Sequence, residues 1–156
     1  MPDGAMTWAE VAGRLAPART YWLSTTTRSG APHAAPVWGA VTGETLCLFS
    51  ERRTVKARNL AADPRCSIAT DNAYEPVIVE GDAFEVTDEE QLRYALDLEN
   101  RKYDTDYGDE MIDTASNTWF RLRPDVVFSL DENDFTVDRC SSIFHPPRSQ
   151  AACNSF

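Results

Sequence analysis

Hydrophobic and polar positions along this chain repeat with two periods, and turn residues mark each switch between them. Trp8, Val11, Ala12 and Leu15 share one helical face. Thr7-Trp8-Ala9-Glu10 forms a capping box in front of them, with Thr at the N-cap and Glu at the third helical position. Ala16-Pro17 ends that helix. Strand-like segments follow. The stretch Thr20 to Thr27, rich in β-branched and aromatic residues, predicts a first strand. Arg28-Ser29-Gly30-Ala31 predicts a hairpin turn, with Gly supplying positive φ. Pro32 to Val41 predicts a second strand, Thr42-Gly43-Glu44 a second turn, and Thr45 to Ser50 a third strand. Turns this tight imply an antiparallel meander. Pro36 cannot donate to a ladder, so its strand should have an open edge or a bulge.

Helical spacing returns at Thr54 to Ala62 and stops at Asp63-Pro64. Arg65 to Thr70 predicts a fourth strand, Asp71 to Glu75 a polar loop, and Pro76 to Thr87 a twisted or bulged fifth strand around Gly81. Thr87-Asp88-Glu89-Glu90 reads as a second capping box, opening a helix with Leu92, Ala95, Leu96 and Glu99 in register. Lys102 to Asp113 reads as an acidic, Tyr-bearing loop. Thr118 to Arg123 and Val126 to Leu130 predict two last strands joined at Pro124-Asp125. The turn-rich tail 145–156 is expected to be mobile, leaving residues 1–144 as one domain. The expected fold class is α+β, mainly β: a six- to seven-stranded antiparallel barrel with two to three short helices.

Composition narrows the function. The chain has 15 Lys+Arg against 25 Asp+Glu, a net charge of −10, which argues against nucleic-acid and anionic-membrane partners. No run approaches the roughly 18 apolar residues of a membrane span. The N-terminal stretch is acidic and has no apolar core, so it does not read as a signal peptide, and the cytoplasm is the expected compartment. Cys47, Cys66, Cys140 and Cys153 show no metal-ligand spacing and are expected to stay free of disulfides. His33 and His145 lie far apart in sequence without a nearby nucleophile, and the acidic loop around Asp104, Asp106, Asp109 and Glu110 lacks the spacing and glycine of a calcium loop. No dinucleotide, P-loop, zinc-protease or serine-hydrolase motif is present.

One stretch stands out against the acidic background. Arg52, Arg53, Lys56 and Arg58 fall together, although the chain has only two lysines. Thr54 sits where a helix N-cap belongs, directly after the apolar run that ends at Phe49. A strand, a cationic turn and a helix N-terminus make an anion site, because the first-turn N–H groups have no intrahelical partner and the dipole favours negative charge. Lys56 opposes that dipole unless an anion neutralises it.

WLSTTTRSGAPHAAPVW, LCLFSERRTVKARNLAADPRCSIAT and PVIVEGDAFEV, taken in order, resemble the pyridoxamine 5′-phosphate oxidase-like, flavin-binding split β-barrel superfamily. The resemblance runs from Tyr21 to Val86, and SGAPHAAPVW, KARNLAADPR and the VEG that follows look most like the branch that uses the deazaflavin F420. It implies a split barrel, and a homodimer with the cofactor, F420 or alternatively FMN, at the subunit interface. The cofactor-facing strand falls on His33, Ala35, Pro36, Val37 and Trp38, and its neighbour ends at Phe49 and Ser50. The family's Ser-Arg-Lys phosphate grip falls on Thr54, Val55 and Lys56; the Arg is lost to Val55, with Arg52 or Arg53 as substitutes. Asn59 matches the polar helix position, and Val77 and Val79 would line the ring from a second subunit. The family's C-terminal aromatic and Ala-Thr-Arg-Trp-like motif is altered here to Phe135 and Thr136-Val137-Asp138-Arg139, where Arg139 matches the motif's Arg.

The implied activity is a flavin- or deazaflavin-dependent oxidoreductase acting on a small organic molecule. A cofactor that carries the hydride chemistry would explain why no acid–base constellation is visible. Substrate protonation would come from water or from a nearby Tyr such as Tyr103 or Tyr107. From another class, a non-catalytic module carrying a flavin or haem fits the same features.

Overall fold

The structure, a computed structural model, describes residues 7–43 and 45–129. Helix α1 (Trp8–Leu15) carries the expected capping box, and β1 (Tyr21–Thr26) runs through a Gly30 turn at φ 85° into β2 (Pro32–Val37). Then come β3 (Gly39–Thr42), β4 (Thr45–Glu51), α2 (Val55–Ala62), β5 (Arg65–Thr70), β6 (Val77–Val86), α3 (Glu89–Tyr103) and β7 (Asn117–Ser129), with a short 3₁₀ turn at Asp109–Ile112 before β7. All pairings are antiparallel, in one seven-stranded sheet of order β2-β1-β5-β6-β7-β4-β3. The fold is the expected α+β class, a curled half-barrel with three helices.

The predicted second strand, Pro32 to Val41, is in fact two strands. The chain breaks at Trp38; β2 pairs with β1, while β3 pairs with β4. These consecutive segments are the two ends of the sheet order, so a single residue links its opposite edges. Gly39 permits the corner: a Cβ there would stand 2.7 Å from the Cys47 carbonyl oxygen. Pro36 sits on the end strand β2, as its missing N–H requires.

The two predicted last strands are in fact one, thirteen residues long. Glu80 pairs with Val126 and Gly81 with Pro124, so Asp125 is the extra residue of a bulge. The bulge lets the ladder pass a proline, and Gly81 admits it, because a Cβ there would lie 2.1 Å from the Arg123 carbonyl oxygen.

Helix α3 also differs at both ends. Its N-cap is Asp88, accepting from Gln91 N, and not Thr87. It continues to Tyr103, so Lys102 and Tyr103 belong to its last turn and not to a loop; Asp104 ends it at φ 54°. The spacing Leu92, Ala95, Leu96, Glu99 extends one turn to Tyr103, which is also buried.

Two cores result. One lies inside the curl, built on Leu15, Tyr21, Leu23, Leu48, Ile68, Val79 and Leu122. The other seats α3 on the opposite face through Leu92, Ala95 and Leu96 against Cys47, Val86 and Trp119. Cys47 and Cys66 are free thiols, each pushed up to about 12 by burial and so unreactive near neutral pH. Cys140, Cys153, Arg139 and the tail lie outside the described residues.

Candidate functional site

The turn between β4 and α2 is built by its own hydroxyls. Thr54 N and Thr54 Oγ1 both donate to the Glu51 carbonyl, at 3.2 and 2.9 Å. Ser50 Oγ lies 2.7 Å from Thr54 Oγ1, and Thr54 Oγ1 accepts from Ala57 N at 3.4 Å. Thr54 is therefore the N-cap of α2. The other two α-helices put acids in their first turns, Glu10 in α1 and Glu89 with Glu90 in α3; the first turn of α2 has none and holds Lys56. Lys56 is half-buried and has no ion-pair partner among the described residues. A positive helix end with an added ammonium and no carboxylate of its own is suited to an anion.

The neighbouring arginines divide. Arg52 is engaged: its guanidinium pairs with Glu85 and donates to the Thr114 and Asn117 carbonyls at 2.7 and 3.2 Å. The hydrogen bond to Glu85 holds its pKa above the usual arginine value. It fastens the turn to β6 and β7 and is not spare for a ligand. Among the described residues Arg53 pairs only with Glu51, at 3.2 Å, with its side chain 89% exposed. Such surface pairs contribute little, so Arg53 can turn to another anion at small cost.

Asn59 is buried, and its Nδ2 donates to Thr25 Oγ1 at 3.0 Å, which anchors α2 on β1. Thr25 pairs in turn with His33 of β2. The helix thus lies against β1 and β2; His33 and Ala35 of β2 are half-buried, while exposed Pro36 lies on the other face of that strand. Val37 points into the core. Phe49 leans on Trp119 at 5.1 Å between ring centroids. Val77 and Val79 are 1% and 0% exposed and lie in the chain's own core; the side chains of that stretch that reach outward are Ile78 and Glu80.

Trp38, at the corner, stacks on Tyr103. The Tyr103 hydroxyl accepts from Gly39 N at 3.1 Å and lies 2.7 Å from the Arg19 carbonyl and 3.2 Å from that of Gly39. Burial raises its pKa. A phenol buried and bonded in this way is a structural post, which corrects its expected role as a proton donor. Lys102 Nζ completes the corner, donating to Tyr21 Oη at 2.8 Å and to the Gly39 carbonyl at 2.7 Å. Burial lowers Lys102 to about 8. Glu99 is 3% exposed, burial raises it to about 7, and its Oε2 has no hydrogen-bond partner among the described residues. Sequence reasoning missed this cluster, although the continued helical period of α3 carried the signal.

The sheet's outer face carries a further feature. Pro36, Trp22, Ala69, Ile78 and Phe128 lie opposite one another across five strands. All are apolar, and Trp22 is 50% exposed. The rows on either side of this one point inward.

The family model described as pyridoxamine 5′-phosphate oxidase matches residues 7–131. The chain belongs to this family. A conserved hypothetical protein from Mycobacterium tuberculosis shares its fold at 27% identity and a TM-score of 0.71, over 89% of this chain and 93% of that one. A structure named F420 reductase is 25% identical, with a TM-score of 0.59, over 81% of this chain and 98% of that one. A haem-binding protein from Mycobacterium smegmatis is 25% identical, with a TM-score of 0.64, over 80% of this chain and 54% of that one. No curated protein matches the chain significantly. Among the described residues, no helix is long and apolar enough to cross a membrane.

Proposed function

We propose that the protein is a flavin- or deazaflavin-dependent oxidoreductase, with F420 favoured, acting on a small organic substrate in the cytoplasm. The observation that carries this reading is the N-terminus of α2. Its first turn holds Thr54, no acid, and a Lys56 with no ion-pair partner among the described residues, beside the edge strand β2, in a chain of net charge −10. Thr54, Val55 and Lys56 would bind the cofactor's phosphate, with Arg53 able to join them. His33, Ala35 and Pro36 would orient the ring. The bound cofactor supplies the hydride chemistry. The chain's part is to bind, orient and shield, which suits a region where Tyr103 and Glu99 are sealed inside. FMN fits the same phosphate grip.

A homodimer is part of the proposal. The apolar row through Trp22 suits a second copy of itself, and covering it would close the open side of β2. A non-catalytic carrier of flavin or haem is the second reading, favoured by the haem-binding relative and by the lack of an exposed acid–base pair among the described residues.

Mass spectrometry of the ligand released from protein made in its native host tests the proposal, together with the absorbance spectrum. Deazaflavin or FMN in stoichiometric amount is expected, and turnover with reduced cofactor separates enzyme from carrier. Protein that neither carries nor binds either flavin would sink the proposal.

A further inference from the structure

A groove of about 430 Å³ opens between the tip of the β1–β2 hairpin and α2, lined by Arg28, Arg58, Asn59, Ala61 and Ala62. It lies alongside the helix beyond its first turn, so it is separate from the Thr54–Lys56 end. Its two arginines differ from the rest. Six of the other described arginines form ion pairs with carboxylates. Arg14 donates to Ser129 Oγ, Arg19 lies over the Tyr103 ring, and Arg121 has a contact of its own. Arg28 and Arg58 have no such partner among the described residues, and both face this one concavity.

That pattern calls for a physical reason. Acids outnumber bases by 25 to 15, so pairing partners are abundant. Two guanidiniums without carboxylates, facing one hollow, create a local positive potential in an otherwise negative molecule. The small floor residues Ala61 and Ala62 leave room for a ligand between them. The buried Asn59 gives its amide N–H to Thr25, which fixes the floor in place. Guanidinium forks match carboxylate and phosphate oxygens pairwise. We propose that this groove is an anion-binding site that takes a phosphate or carboxylate group between Arg28 and Arg58.

The test is a titration at low ionic strength with inorganic phosphate and with citrate, followed by calorimetry in every variant and, in wild type, also through the arginine Nε–Hε resonances. Low salt matters because exposed charges are screened over about 10 Å at 0.1 M. Saturable shifts at Arg28 and Arg58 are expected. The double variant R28Q/R58Q should bind roughly tenfold or more weakly, since charge-assisted bonds are lost, and R101Q, remote on α3, should bind as wild type. Both arginines are exposed, so the variants should fold normally. Two further arms separate the sources of the anion. If R28Q/R58Q weakens F420, which carries carboxylates beyond its phosphate, but leaves FMN unchanged, the groove takes a cofactor extension. If it loses citrate and changes neither flavin, the groove takes a free small-molecule anion. No saturable shift in wild type, or citrate and phosphate binding unaffected by R28Q/R58Q, would overturn the proposal whatever the flavin result.

Discussion

The indole of Trp38 lies flat on the phenol ring of Tyr103, with centroids 4.2 Å apart and planes 11° from parallel. This stack seats the one residue that joins the two ends of the sheet. The Tyr103 hydroxyl then takes up the buried Gly39 N–H next to it. Helix α3, far along the chain, thereby fixes the corner from which β2 departs.

Tyr103→Phe keeps the stack and removes the hydroxyl. It leaves Gly39 N without its partner, and an unsatisfied buried donor costs about 1–3 kcal/mol. Urea denaturation should show that loss, with Tyr103→Leu losing more because the ring contact also goes. Wild-type stability in Tyr103→Phe would mean that the hydroxyl does not hold the corner.

Glu99 gives the protein a pH dependence of defined sign. Its folded pKa is raised from 4.5 to about 7 by burial, so the folded state binds its proton more tightly than the unfolded state. The contribution is fully present below pH 4.5 and is lost as pH rises to about 7. At 1.36 kcal/mol per pKa unit the change is on the order of 3 kcal/mol. Glu99→Gln should flatten stability across that window and raise it at pH 8. An unchanged pH profile in the variant would show that Glu99 ionises freely in the fold.

Lys56→Ala should weaken flavin binding without unfolding the protein. Charge-assisted hydrogen bonds contribute about 1.5–3 kcal/mol, so affinity for FMN or F420 should fall roughly 10- to 150-fold. Thermal stability of the empty protein should hold or rise slightly, since a cation leaves a helix N-terminus. Arg101→Ala, remote on α3 and paired with Asp97, is the control. Equal binding by wild type and Lys56→Ala would reduce Lys56 to a solvated charge.

Trp22→Glu places a charge in the middle of the apolar row. If a second copy covers that row, burying the more than ~2,000 Å² typical of obligate pairs, sedimentation should show a dimer for wild type and a monomer for the variant. A wild-type monomer at micromolar concentration would refute the dimer.

Local signals wrote much of this fold into the sequence. Thr7 and Glu10 close a capping box, Thr54 caps α2, and Gly30 turns the first hairpin, all through contacts within a few residues. Enrichment in β-branched and aromatic residues placed β1, and an unbroken apolar run placed β4, whose consecutive Leu46, Cys47 and Leu48 are all buried. The anion-ready end of α2 was legible for the same reason: Thr54, Lys56 and the missing acid are neighbours in sequence. What only the tertiary structure decided are relationships between distant residues. Arg52 resembled a free cation until Glu85, Thr114 and Asn117 came round to meet it. Tyr103 resembled an available acid until the corner at Gly39 enclosed it. Pro32 to Val41 alternates as one strand, yet it splits at Trp38, because closing the curl demands a bend that no local preference encodes. Pro124 resembled a break, yet Gly81 across the ladder lets β7 run through it. Alternation and capping are properties of a segment, whereas pairing, burial and closure depend on which segments the sheet brings together.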